Sequence, residues 1–341
     1  MRLGLIGLGR IGAFHAETLV ALPQVSSLVV TDAVPAATAA VADRLGVEAV
    51  DSFAKLISSG IDGVVIAAAT DAHPELLIAA AEAGLPVFCE KPVARTMAEG
   101  LQVARRVEET GATVQIGYPR RFDAGFQAAR RAVACGELGR LHTLRSTTLD
   151  PAPPPHAYLA ASGGIFRDCS VHDFDAIRFV TGREVVEVYA TGSAHGDPVF
   201  AELGDVATAA SVLTLDDGAM ALVSNTRYNP RGHDVRLELH GSQDSIAVGL
   251  NDKLPLRSVE PGVSFPDRPP YHFFMDRFQD AFRAELAAFT EVVAGTRPTP
   301  CSVNEALEAG WIAEAATRSL RERRPVRVDE VRETQPEGAT T

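Results

Sequence analysis

The sequence predicts an α/β domain with a parallel, helix-covered sheet, followed by an α+β domain with a mainly antiparallel sheet. Three observations predict it. Apolar runs alternate with helical segments of about a dozen residues as far as Tyr118. A glycine hexad follows the first of those runs. Beyond residue 119 the alternation stops and long β-rich stretches replace it.

In order, the strand candidates of the first domain are Arg2 to Gly7, Ser27 to Thr31, Gly63 to Ala69, Pro86 to Glu90 and Thr113 to Tyr118. Each is short, rich in Val, Ile and Ala, and followed by a turn or a helix start, so their carboxyl ends line one edge as a ligand crevice. Thr96 with Glu99 three residues on is a capping box, opening a helix that Gly111 ends. In the second domain the β-rich stretches are Arg140 to Leu149, Glu184 to Gly192, Asp205 to Tyr228 and Asp234 to Leu250. Asp217-Gly218 between SVLTL and MALVS signals a hairpin, and Gly241-Ser242 punctuates the next stretch in the same way. Two amphipathic helices, Phe273 to Ala294 and Val303 to Arg323, are separated by the breaker-rich GTRPTP. The expected domains are 1–118, 119–330 and a flexible tail at 331–341.

Composition narrows the function classes. The chain has 341 residues, 46% hydrophobic and 22% charged, as in ordinary globular proteins. Its formal net charge of −12 argues against nucleic acid and anionic lipid as partners. No apolar run approaches the ~18 residues of a membrane span, and the N-terminal sequence enters a strand directly, so residence in the cytoplasm is expected. Cys89, Cys135, Cys169 and Cys301 are widely separated and form no CxxC, which reads as four reduced thiols and no metal site.

Gly7-Leu8-Gly9-Arg10-Ile11-Gly12 lies between a strand and a helix, the context in which GxGxxG acts on a dinucleotide. The first glycine allows the tight turn, the second lets backbone approach a pyrophosphate, and the third allows close helix packing, while the helix N-terminus attracts phosphate. Asp32 stands twenty residues past Gly12, at a strand end. There a carboxylate accepts from the adenosine ribose and repels a 2′-phosphate, favouring NAD over NADP; the alternative is a turn cap within Thr31-Asp32-Ala33.

Glu90-Lys91-Pro92 ends the strand Pro86 to Glu90, at the edge where open α/β sheets bind ligands. Lys91 is one of only three lysines among 32 basic residues, which fits a compact charge able to shift its pKa; a plain surface lysine is the alternative. Asp168 and His172, four apart after the turn Ser162-Gly163-Gly164, share one helical face, so a carboxylate there orients an imidazole that exchanges a hydroxyl proton. A capping Asp with a core His is the alternative. Metal binding by Asp168, His172 and Asp173 is disfavoured because no second nearby His completes a set.

Together the GxGxxG start, Thr70 with His73, the EKP of Glu90 to Pro92 and the GG-x3-D-x3-H segment ending at His172 resemble the Gfo/Idh/MocA oxidoreductase family, and more narrowly its bacterial inositol 2-dehydrogenases. Tyr118 to Asp123 and the DPAPPP at Asp150 to Pro155 carry the narrower likeness. The resemblance implies an N-terminal Rossmann domain binding NAD and a C-terminal domain with a large open-faced sheet used for substrate binding and oligomer contacts, in a homodimer or homotetramer. It implies Lys91, Asp168 and His172 as the catalytic triad, with Arg120 and Asp150 on substrate hydroxyls and Gly9, Arg10, Ile11, Asp32, Thr70, His73, Glu90 and Lys91 on the cofactor.

One segment departs from the family pattern. Where many inositol dehydrogenases carry a YGYD-like tyrosine, this chain has Arg231-Gly232-His233-Asp234. Either Tyr228 replaces that tyrosine in space, or His233 contacts a ring hydroxyl, or the segment is a solvent-exposed loop. The expected reaction is NAD-dependent oxidation of a secondary hydroxyl of a cyclic polyol such as myo-inositol to an inosose. Its rivals are an NAD(P)-dependent dehydrogenase of an aldose or other sugar, and a dinucleotide-binding sensor that has lost catalysis.

Overall fold

The first sheet is formed by β1 (Arg2–Ile6), β2 (Ser27–Thr31), β3 (Glu48–Ala49), β4 (Gly63–Ile66), β5 (Val87–Glu90) and β6 (Val114–Gly117) in the spatial order β3-β2-β1-β4-β5-β6. All five pairings are parallel. Residues 1–333 are described by the computed structural model of the chain. Because helices cover both faces, the central strands are buried throughout, as in the unbroken GVVI of β4. The chain runs outward from β1 through β2 to β3 and returns to β4 on the other side of β1. That reversal opens a crevice at the carboxyl ends of β1 and β4, where the glycine hexad lies. β3, a two-residue exposed edge, carries no apolar pattern and was not expected from the sequence.

The chain divides into two compact units, Met1–Pro119 with Asp280–Leu307, and Arg120–Gln279 with the residues from Glu308 onward. A contiguous division at residue 118 therefore needs correction. Leu286, Phe289 and Val292 of the helix Gln279–Val293 share a core with Leu3, Leu5, Leu19, Val30, Val65 and Phe88, so apolar burial draws this late segment into the first unit. The expected single helix from Phe273 is instead two, Phe274–Arg277 and Gln279–Val293, broken at Phe278. The capping box at Thr96 and Glu99 forms as expected and starts the helix Met97–Thr110, which ends at Gly111 with φ of 67°.

In the second unit β7 (Leu141–Leu149), β8 (Val185–Ser193), β9 (Thr208–Leu215), β10 (Met220–Thr226), β11 (Asp234–Gly241), β12 (Ser245–Val248) and β13 (Val326–Arg327) are ordered β12-β11-β7-β10-β9-β8-β13. Every pairing is antiparallel except β7 with β10. The β9–β10 hairpin turns at Asp217-Gly218, with φ of 87° at Gly218. Strict alternation in β9 and β10 buries Ala209, Leu213, Ala221 and Val223 on one face. The other face is open, and Tyr189, Val212 and Leu222 form one row across β8, β9 and β10, each about 40% exposed.

Of the tail expected at 331–341, the first three residues are helical. Val328–Glu333 is a short helix with Val328 and Val331 buried, and the rest of the tail lies outside the described residues. Among the described residues no helix is long and apolar enough to cross a membrane.

Candidate active site

In the first unit the glycines of the hexad differ in what surrounds them. A Cβ on Gly7 would sit 2.4 Å from the Ala67 backbone, and one on Gly12 would sit 1.8 Å from the Gly7 carbonyl oxygen, so packing forbids a side chain at both. Gly7 also has φ of 92°, open only to glycine without strain. Gly9 differs: a Cβ there meets nothing within 4 Å. Its backbone faces open space at the start of the helix Arg10–Val20, which has no side-chain cap and no acid in its first turn. Uncapped amides, the positive end of the helix dipole and an unfilled approach suit a pyrophosphate, so these residues fit a dinucleotide. Arg10 is exposed and Ile11 half-buried at this helix start.

Asp32 caps the turn at the end of β2. Its Oδ2 accepts from the Leu8 amide at 2.5 Å and its Oδ1 from the Val34 amide at 2.7 Å. The carboxylate thus pins the glycine loop to the end of β2 and caps the turn after it, while its remaining lone pairs stay available to a ribose. No basic residue follows in Ala33-Val34-Pro35 to receive a 2′-phosphate.

Two histidines brace the segment that carries Lys91. Fully buried His15 brings Nε2 to 2.6 Å from Glu90 Oε1, so the Glu90 carboxylate is engaged by protein. The Phe88 and Phe282 rings pack against this imidazole at 5.8 and 5.7 Å. His73 is 1% exposed, with Nδ1 2.7 Å from the Pro92 carbonyl oxygen and Nε2 3.1 Å from that of Ala68. Burial holds its pKa below the ordinary value despite both carbonyls. The neutral ring donates one proton, best along the shorter contact to Pro92. At 1% exposure the His73 ring ties the Lys91-Pro92 turn to the segment that follows β4. Lys91 itself is half-buried, joined to Pro92 by a cis peptide, and Thr70 opens a 3-10 turn at the end of β4.

In the second unit Asp168 does not lie on an ordinary α-helix. Gly163 and Gly164, at φ of 79° and 91°, turn the chain into a π-helical segment, Phe166–Ser170, from which the α-helix Val171–Thr181 continues through His172. Asp168 Oδ2 accepts from Arg227 Nη2 at 2.6 Å and Oδ1 from the Tyr158 hydroxyl at 2.7 Å. The second terminal nitrogen of Arg227 reaches Asp150 Oδ2 at 2.9 Å, so one guanidinium joins the two carboxylates singled out in the sequence. Burial pushes the Asp150 pKa up, but His233 and Arg227 outweigh it and hold the carboxyl below its usual value.

Arg120 is 4% exposed and gives Nη1 to Asp173 at 2.7 Å and Nη2 to Thr148 at 2.7 Å. Fully buried Asp173 also accepts from Ser146, Thr148 and Asn225. His233 lies in no exposed loop: 4% exposed, it stands with Nδ1 3.4 Å from Asp150 Oδ1 and its ring against Phe274. Tyr228 is 39% exposed, its ring edge-on to Phe200. Sequence reasoning missed His15, Tyr158 and Arg227. Their partners lie 75, 10 and 59 to 77 residues away, and only Tyr158 is close enough to its partner for local spacing to have raised it. Among the described residues no group of His, Cys, Asp or Glu is placed to hold a metal.

Comparison with known proteins extends this geometry. Residues 1–118 match the oxidoreductase family with an NAD-binding Rossmann fold, and residues 126–247 match the GFO/IDH/MocA C-terminal domain. The chain is 38% identical to the myo-inositol 2-dehydrogenase of Thermotoga maritima over 339 residues, covering 97% of this chain and 99% of that one. It resembles the crystal structure of a myo-inositol dehydrogenase from Corynebacterium glutamicum with a TM-score of 0.89 at 32% identity, over 99% of each chain. The scyllo-inositol dehydrogenase of Lactobacillus casei, solved with bound NAD(H) and scyllo-inositol, superimposes with a TM-score of 0.86 at 27% identity, over 96% of this chain and 99% of that one.

Proposed function

Since the chain belongs to the Gfo/Idh/MocA family of NAD-binding oxidoreductases, we propose that it oxidises a secondary hydroxyl of an inositol, most directly myo-inositol, to the corresponding inosose with NAD. The observation that carries this reading is the carboxylate pair of Asp150 and Asp168 held by one buried guanidinium. Fixed anionic acceptors suit a ligand whose recognisable features are ring hydroxyls, each a donor. Relatives with inositol in their names and an NAD-type glycine loop with Asp32 support the same conclusion.

NAD bound at the glycine loop supplies the hydride acceptor. The chain's own residues manage the proton. In this reading His172 accepts the hydroxyl proton, Asp168 holds the imidazole in the receptive tautomer, and the Lys91 ammonium hydrogen-bonds the oxygen as negative charge develops on it. Asp150 accepts from a further ring hydroxyl. The protein works in the cytoplasm, where Cys89, Cys135 and Cys169 stay as thiols. It assembles as a homodimer or homotetramer, for which the exposed row Tyr189, Val212 and Leu222 offers an apolar face.

The test is initial-rate NADH formation with myo-, scyllo- and D-chiro-inositol, repeated with NADP and with common aldoses. NAD-linked turnover of an inositol is expected. Activity confined to an aldose transfers the proposal to a sugar, and silence throughout with intact NAD binding overturns it in favour of a sensor. Lys91→Ala is expected to lose turnover by ~100-fold or more with the fold intact; near-native turnover removes Lys91 from the mechanism.

A further inference from the structure

Arg227 lies outside the motifs that carry the family resemblance, yet it is among the most enclosed charges of the second unit, with a side chain 3% exposed. It follows β10 directly, and its backbone amide is held by the Ala207 carbonyl at 2.8 Å. The backbone on the opposite side is fixed as well: the Asp150 amide donates to the Thr226 carbonyl at 2.9 Å and the Asn229 amide to the Asp150 carbonyl at 2.7 Å. Two strand ends thus hold the guanidinium and Asp150 in register. Asp168 comes to them from the π-helical turn.

We propose that Arg227 is a positioning residue for the oxidation: it spans Asp150 and Asp168, keeps both anionic, and sets the proton affinity of His172 through Asp168. The inference rests on the assignment of His172 and Asp168 made above. A lone carboxylate beside an imidazole stabilises imidazolium strongly and retards release of the captured proton; a guanidinium on the far side of that carboxylate moderates the attraction. Arg suits this task better than Lys because its planar fork reaches two acceptors at fixed angles and stays protonated when buried. Although burial works against its charge, Asp168 and Asp150 raise the guanidinium's pKa further above its already high value. The groups facing this cluster are Tyr158 on Asp168, His233 on Asp150, and Cys169 and Asp173 on the helical turns that follow Asp168. Of these, Tyr158 donates to the same carboxylate from a position 47% exposed.

Arg227→Gln and Arg227→Lys are compared with the wild type in the NAD-bound enzyme by the pH dependence of kcat on the best substrate of the panel. Loss of the positive charge raises the acidic limb of the profile by about one pH unit in Arg227→Gln. Turnover at neutral pH falls by about tenfold or more. In Arg227→Lys, whose ammonium reaches only one carboxylate, both effects are smaller and of the same sign. A limb that coincides with the wild type in both variants overturns the proposal even if kcat falls, because a packing role lowers rate without moving the pH profile. If Arg227→Gln does not fold, Arg227→Lys decides alone: a wild-type limb sinks the idea whatever the rate. A histidine NMR titration of the NAD-bound protein, with the His172 signal assigned through His172→Asn, reads the same shift without turnover. An enzyme inactive on every inositol therefore fails the functional reading, while an unmoved His172 titration fails this one.

Discussion

The two units hold their chemistry in place by different means. In the first, neighbouring backbone does most of the work: Asp32 takes two amides, His73 meets two carbonyls, and glycines make room where strand and helix touch. In the second, charge does it: Arg120 with Asp173, Arg121 with Asp175, and Arg227 with Asp150 and Asp168 are all ion pairs with a buried guanidinium. A dinucleotide's phosphates ask for amides and space, which backbone supplies at low desolvation cost. A polyol asks for directional acceptors, and buried carboxylates need cations to remain charged.

The largest effect is expected where that second strategy is broken. Asp173→Ala leaves the Arg120 guanidinium buried without its anion and removes an acceptor from Ser146, Thr148 and Asn225. A loss of roughly 3–5 kcal/mol in unfolding free energy follows, measured by urea denaturation. In the first unit, removing the ring that meets Glu90 by His15→Ala costs about 1–3 kcal/mol through the unpaired carboxylate and the space left among aromatic rings. Equal losses at the two sites break the contrast between the units.

The glycines sharpen it further. Gly12→Ala drives a Cβ into the Gly7 carbonyl and lowers both stability and NAD affinity, whereas Gly9→Ala meets no protein atom and leaves the melting temperature unchanged. Its Cβ instead occupies the approach of the pyrophosphate, so NAD binding weakens by about tenfold or more in a calorimetric titration. Unaltered NAD affinity in Gly9→Ala removes that residue from the cofactor site. Asp32→Ala is the intermediate case. It frees the Leu8 and Val34 amides and removes the repulsion of a 2′-phosphate, so NAD affinity falls by about tenfold and the preference over NADP narrows.

The same contrast explains what sequence alone reveals. The first unit is readable because its site is local: six residues from Gly7 to Gly12 with one acid at a set distance define the loop, and the strand ends give its place. Even there the protein partners of His73 and Glu90 were not readable, since Pro92 and His15 become their neighbours only after folding. In the second unit the turn at Ser162-Gly163-Gly164 marks where Asp168 and His172 sit, yet nothing within a few residues shows that Arg227 binds Asp168 or that Arg120 is committed to Asp173. Periodicity reports which face of a strand is buried; it does not report which charge meets which across a sheet. The late helix in the first unit was missed for a related reason, because an amphipathic helix declares that it has an apolar face and not which core receives it.

The smallest effect concerns pH and arises at His73. Burial holds its folded pKa below the ordinary value, so the native protein keeps the ring neutral while the unfolded chain protonates near pH 6.5. The unfolded state therefore binds more protons as pH falls below that value, and native stability contributed by the neutral ring is present above it and declines through the window down to the folded pKa. Below the folded value both states are protonated and the dependence flattens. Unfolding free energies between pH 7.5 and 5 are expected to fall less steeply in His73→Gln than in the wild type, because the amide has no proton to gain. The amide still has a donor for the Pro92 carbonyl, so at pH 8 the variant loses only about 1 kcal/mol. Parallel pH dependences in the two proteins assign the slope to other groups, and leave the first unit's reliance on neutral, backbone-bound side chains without its clearest titration.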